Sequence, residues 1–252
     1  MDTLVIGLLA SLGFVIGLAF AFLVMYRHHL RRMRRANRLL DPLSRVTSAR
    51  QRALPFHLPT RWLAVRSSNT AFIRAVLGSG SSSQCAWSEA LSRHRDRSFF
   101  LSSPVDGWTL VVGGSLPEAG QDVDQLYRFL TRLSREIGQV QYFSFDRVLN
   151  FHAWARLEDG VVRRAYAWAG ETLWNEGRLT LEERLLGLRC RDYAEEIEPL
   201  RYGEVAPEMH NTERVMLLAR RWSLDLMVAS ELLLQQEAVE SGEGESGADG
   251  HR

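Results

Sequence analysis

Residues 3–26, TLVIGLLASLGFVIGLAFAFLVMY, form an uninterrupted run of twenty-four residues without a charge. A hydrocarbon core roughly 30 Å thick takes about 20 helical residues, so the run is long enough to span a bilayer with some tilt. A cleaved signal peptide would have a basic n-region, an apolar stretch of about 7–15 residues and a small-x-small cleavage site. Here only Met-Asp precedes the run, which ends in bulky residues followed by Arg27. Residues 1–26 therefore read as a retained transmembrane anchor.

Charge sets the expected orientation. Asp2 is the sole charged side chain before the span, whereas Arg27, Arg31, Arg32, Arg34, Arg35 and Arg38 follow it. The positive-inside rule places the N-terminus outside and the remaining chain in the cytoplasm, at an inner (plasma) membrane. Cys85 and Cys190, far apart and without a pairing pattern, suit a reducing compartment and read as small buried hydrophobes. Every basic residue is Arg, which reads as the coding bias of a GC-rich, bacterial genome.

Composition divides the rest of the chain. Residues 27–60 hold nine arginines against one acid, residues 61–236 twenty-one against twenty-three, and residues 237–252 one against five. The first stretch is an Arg-rich juxtamembrane segment and linker, punctuated by Pro42, Pro55 and Pro59. Its arginines either face anionic lipid headgroups or serve only as a stop-transfer cluster. Residues 237–252 form a Gly/Ser/Glu tail expected to be disordered. The balanced charge of residues 61–236 gives no case for nucleic acid. Gly13, Gly17 and Ala21 share one face of the span at small-xxx-small spacing and would let two anchors pair.

Residues 61–236 read as one α+β domain with a single, mostly antiparallel sheet packed by helices. WLAVR (62–66) alternates like a strand, residues 70–77 and 87–94 are short helices, and residues 121–137 repeat Val123, Leu126, Leu130, Leu133 and Ile137 on one helical face. QVQYFSF (139–145) is a further strand. Two Asp-Gly pairs, Asp106-Gly107 and Asp159-Gly160, sit between apolar segments and specify type I′ hairpins. Counting outward from the first pairs Val105 with Trp108, Ser103 with Leu110 and Leu101 with Val112. The same count about the second pairs Phe151 with Trp168, Ala153 with Tyr166 and Leu157 with Val162, and on the other face Trp154 with Ala165 and His152 with Ala167. Thr180 and Glu183 form a capping box. Residues 188–211 are weakly patterned, and helices over 212–222 and 223–235 close the domain with Ser223 as N-cap between them.

Motifs that would name a chemistry are absent from the sequence. GSGSSS (78–83) lacks the third glycine of GxGxxG and the GK[ST] of a P-loop, and there is no HExxH, zinc spacing or GxSxG. No metal and no cofactor are expected. What remains is the aromatic second hairpin, where His152, Tyr166 and Glu171 offer an imidazole, a phenol and a carboxylate, walled by Trp154, Trp168 and Trp174 as candidate binding residues. The structural alternative is that these residues are core, with each polar tip needing one partner. The segments PVDGW (104–108), HAWAR (152–156) and AYAWAGE (165–171) resemble a family of uncharacterised bacterial proteins. That resemblance spans roughly residues 62–222 and implies one domain, with no functional residue. The expected function is a membrane-tethered cytoplasmic interaction or ligand-binding domain with a protein partner. The alternative is an acid/base enzyme using His152, Glu171 and Tyr166.

Overall fold

The structure, a computed structural model, describes residues 58–78, 82–83, 85–193, 195 and 208–246. The anchor, Gly13, Gly17, Ala21 and the arginines from Arg27 to Arg38 lie outside these residues. No helix among the described residues is long and apolar enough to cross a membrane.

The described residues form an α+β fold around one sheet, in the order β2-β3-β4-β1-β5-β6-β7-β8. The strands are β1 (Arg61–Val65), β2 (Ser82–Ser83), β3 (Phe99–Leu101), β4 (Thr109–Val112), β5 (Gln139–Asp146), β6 (Phe151–Glu158), β7 (Val161–Trp168) and β8 (Thr172–Glu176). All neighbours pair antiparallel except the two-residue β2, which runs parallel to β3 at one edge. Strand β8 at the other edge is additional to the elements expected from the sequence.

Helices cover both faces. On one face α1 (Thr70–Leu77) and α3 (Val123–Ile137) pack with Leu63, Val111, Tyr142, Phe151 and Ala153. On the other, α2 (Trp87–Arg93), α5 (Met209–Trp222) and α6 (Leu226–Ser246) pack with Trp62, Phe143, Trp154 and Tyr166. This double cover explains why the central strands are apolar on both faces and not alternating. Capping follows local chemistry. Asp122 accepts from the Gln125 N–H at 2.8 Å at the start of α3. Asp225, and not Ser223 as expected, receives the Met227 N–H at 3.0 Å to start α6. Helix α6 also passes the expected boundary at Gln236, since QQEAVE contains good helix formers. Its Glu237 carboxylate accepts the backbone N–H groups of Trp87 and Ser88 and so caps α2.

Both Asp-Gly turns are present, with φ of 50° and 78° at Asp106 and Gly107 and 53° and 77° at Asp159 and Gly160. Counting outward from either turn fails after a few residues. In the second hairpin Leu157 still faces Val162, but a bulge then makes Arg156 face Arg164, Trp154 face Tyr166 and His152 face Trp168. In the first, Val105 faces Trp108, yet Leu101 faces Val111 and not Val112. Each slip inserts one residue on one strand, which increases the local twist. The slip in the second hairpin is decisive for the core. It stacks large against large on one face and leaves Ala153, Ala155, Ala165 and Ala167 together on the other.

Candidate functional site

The corrected register gathers His152, Trp154, Tyr166 and Trp168 on the face covered by α5. The imidazole of His152 stacks on Trp154 at 5.6 Å and on Tyr166 at 5.9 Å between ring centroids. Trp174 belongs to the opposite face, where its indole N–H donates to Glu176 Oε2 at 3.0 Å. The three tryptophans expected to wall one cleft are thus divided by the sheet, and all are buried.

Beside the aromatic row lies a buried ion pair that sequence reasoning missed. Arg164, 1% exposed, donates from Nε to Glu183 Oε1 and Oε2 at 2.8 and 3.1 Å. Glu183, fully buried, also accepts the Trp154 indole N–H at 2.7 Å. Its position comes from the capping box of α4 (Leu181–Leu185): Thr180 Oγ1 accepts the Glu183 N–H, and Glu183 Oε2 accepts the Thr180 N–H. One carboxylate therefore caps its own helix and neutralises a strand arginine. The other end of Arg164 is equally occupied, with Nη1 donating to Asn175 Oδ1 at 2.7 Å and to the Ala165 and Glu176 carbonyls at 3.0 and 3.1 Å. A sequence signal existed: once a bulge is allowed, Arg164 falls on the inward face between apolar residues, where an arginine requires an acid.

His152 is sealed, and its protonation follows from its neighbours. Asn211 Oδ1 accepts the Arg189 N–H at 3.0 Å, which fixes the amide orientation. Asn211 Nδ2 then donates to the Arg189 carbonyl at 2.5 Å and to His152 Nε2 at 3.1 Å. With Nε2 an acceptor, the proton resides on Nδ1 and is donated to Thr212 Oγ1 at 3.0 Å. The Thr212 hydroxyl passes its own proton to Asn150 Oδ1 at 3.0 Å. Burial lowers the His152 pKa from 6.5 to about 3, so the ring is neutral throughout the physiological range.

Within the weakly patterned stretch, Arg189 and Arg191 are held by side chains of the sheet and of α5 and not by any periodicity. The Arg191 N–H donates to Tyr166 Oη at 3.1 Å, and its carbonyl accepts from Thr172 Oγ1 and Asn175 Nδ2 at 3.0 and 3.1 Å. Arg191 pairs with the buried Glu208 at 2.6 Å. Burial pushes the Tyr166 phenol up to about 12 and the Cys190 thiol likewise up to about 12, so neither is ionised near neutral pH. Cys190 is thus no thiolate nucleophile.

Of the three expected acid/base residues, the structure brings His152 and Tyr166 together and leaves Glu171 apart. Glu171 is exposed in the turn between β7 and β8, where its carbonyl accepts the Ala169 N–H at 3.0 Å. Among the described residues no group of three or more His, Cys, Asp and Glu side chains could hold a metal ion.

Neither the protein-family models, nor the curated proteins, nor the solved structures contain a match to this chain. Its chemistry therefore rests on its own geometry. The polar groups of His152, Arg164, Tyr166 and Glu183 are spent on side-chain and backbone partners, an arrangement that fixes α4, the start of α5 and residues 189–191 against the sheet. A substrate reaching His152 would have to displace Asn211 or Thr212, each already hydrogen bonded on its far side.

Proposed function

We propose that this chain is a membrane-tethered cytoplasmic domain that binds a protein or ligand without turning it over. The observation that supports this reading is the closed state of the cluster of reactive side chains around His152 and Tyr166. His152 is buried and neutral, Tyr166 keeps its proton, and Glu171 is exposed. General acid/base work needs groups that converge on a reacting atom and titrate near the working pH. Such groups make a scaffold here, and a well-fixed scaffold suits a binding surface because little ordering is left to do on association. The uncharged run at residues 3–26 and the arginines after it support the tether and its orientation.

The test uses the intact protein in its own membranes, as wild type and as His152→Gln. The expected result is a partner that co-purifies in stoichiometric amount with both. Turnover of a substrate by the wild type that His152→Gln abolishes, at unchanged melting temperature, would reverse the reading in favour of the acid/base enzyme.

A further inference from the structure

The connection between β5 and β6 carries two aliphatic side chains in the open, Val148 at 58% and Leu149 at 70% exposure. A turn normally hides or omits such residues, because exposed apolar surface at a tip gains nothing in water. This turn is braced so that they stay out. Asp146 Oδ1 accepts the N–H groups of both Val148 and Leu149, at 2.7 and 3.0 Å. Asn150, at φ 52°, closes the turn and receives the Thr212 hydroxyl, the end of the chain of hydrogen bonds through His152. Arg147 is fixed over the Phe145 ring and paired with Glu213 at 3.3 Å, its side chain 39% exposed.

The location of the turn matters as much as its rigidity. Leu58 and Pro59 are buried, the Thr60 carbonyl accepts the Phe145 N–H at 2.9 Å, and Arg61 faces Ser144. The chain arriving from the apolar run thus joins the sheet one strand away from the turn, at the same end. Residues 27–57 separate that run from Leu58, and fully extended they would reach about 100 Å. A tether of that reach does not by itself keep the domain on the bilayer.

We propose that Val148 and Leu149 form a docking tip that enters the interface of the same bilayer that holds the anchor. This inference rests on the membrane-tethered reading above. Two aliphatic side chains flanked by an arginine match a lipid surface: the hydrocarbons enter the acyl boundary while the guanidinium stays at headgroup level. Tethering makes the contact intramolecular, so an insertion too weak to hold a free domain suffices. Docking in this sense turns the opposite end of the sheet, with the Asp159-Gly160 turn, toward the cytoplasm and its partners. Val161 at that end is also exposed, 51%, and lies the length of β6, roughly 23 Å, from the tip. It provides an internal control of similar character.

The experiment uses the full chain in vesicles of phosphatidylethanolamine and phosphatidylglycerol. A photoreactive phenylalanine analogue replaces Leu149 in one preparation and Val161 in another, and irradiation is followed by mass analysis of adducts. Lipid adducts several-fold more abundant at position 149 than at 161, and suppressed by Val148→Asp, are expected. Equal yields at the two positions, or protein adducts in place of lipid at position 149, would overturn the proposal. Alkaline carbonate treatment separates the two levels of failure. Release of the chain from the vesicles refutes the tether and the docking tip together, whereas retention without enriched adducts at position 149 refutes the tip alone.

Discussion

Replacing Glu183 by Gln is the sharpest perturbation of the buried centre, because it keeps the shape and removes the charge. Arg164 and Glu183 have side-chain exposures of 2% and 0%. Their charges are therefore compensated by each other and not by water. The amide introduced by Glu183→Gln would retain one oxygen acceptor but would direct an N–H₂ donor at either the Thr180 N–H or the Trp154 indole N–H, both donors themselves, with the Arg164 Nε beside either. Breaking a buried pair from one side costs about 3–5 kcal/mol, chiefly because the remaining charge is stranded. In a domain of this size each kcal/mol moves the melting temperature by about 2–4 °C, so Glu183→Gln should lower it by roughly 6–20 °C. Arg164→Met should cost a similar amount, stranding the Glu183 carboxylate and leaving Asn175 Oδ1 without its 2.7 Å donor. The double variant Glu183→Gln with Arg164→Met removes both charges and should lose less than the sum of the two single variants. Urea unfolding of all three with the wild type gives the comparison. A Glu183→Gln loss below about 1 kcal/mol, or strict additivity in the double variant, would show that the pair is solvated and that the closed centre does not exist as described.

Three further outcomes follow from the same geometry. His152, with its pKa lowered from 6.5 to about 3, takes up a proton in the unfolded chain before it does in the folded one. Stability should therefore be complete above pH 6.5 and fall by about 1.4 kcal/mol per pH unit as the pH drops through that window; His152→Gln should flatten this slope, and parallel urea midpoint curves between about pH 7 and about pH 5 would contradict it. Trp168→Ala should cost about 3–5 kcal/mol as a truncated core residue, while Trp168→Phe should cost much less, since the Trp168 indole N–H finds no acceptor among the described residues; a Trp168→Ala melting point within a degree or two of wild type, within the error of about 1 kcal/mol, would reject the core placement. Residues 58–246 expressed alone should melt higher than residues 61–236, because the shorter fragment lacks the buried Leu58 and the Glu237 cap on α2; equal melting temperatures would mean that neither contact contributes.

The elements were legible wherever one local rule decides them. The Asp-Gly turns need positive φ at two successive positions, the α3 stripe repeats at helical spacing, and the Thr180/Glu183 box announces its helix, so each was readable within a few residues. Register was not, because a bulge is a single extra residue whose effect depends on the twist of the whole hairpin. One slipped residue sufficed to exchange the partners of Trp154 and His152 from alanines to Tyr166 and Trp168. It also concealed the inward position of Arg164, and with it the second role of Glu183, which the sequence could show only as a cap. The stretch after α4 was opaque for a related reason. Its described part is held at Arg189 and Arg191 by the Asn211 amide, the Tyr166 hydroxyl and the side chains of Thr172 and Asn175 acting on the backbone. Contacts of that kind leave no periodic trace, since each depends on a residue elsewhere in the chain.

The same point reverses the functional weight of His152. Read along the strand, an imidazole between aromatic residues beside a downstream carboxylate resembles an acid/base site. Placed in the fold, it is one link in a directed chain of donors from Asn211 through Thr212 to Asn150, the residue that closes the exposed turn before β6. A neutral ring with one donor and one acceptor suits that position, whereas a protonated ring would set its Nε2–H donor against the Asn211 Nδ2 donor and break that link of the chain. Below pH 6.5 opening of α5 and the Val148–Leu149 turn together should become easier, because His152 takes up its proton only in the opened state until the pH nears 3. Amide hydrogen exchange at about pH 5 against about pH 7, corrected for intrinsic rates, would report it. Loss of protection concentrated at Asn150 and the first turn of α5 is expected, and uniform loss across the sheet would mean that His152 is only one of many core contacts.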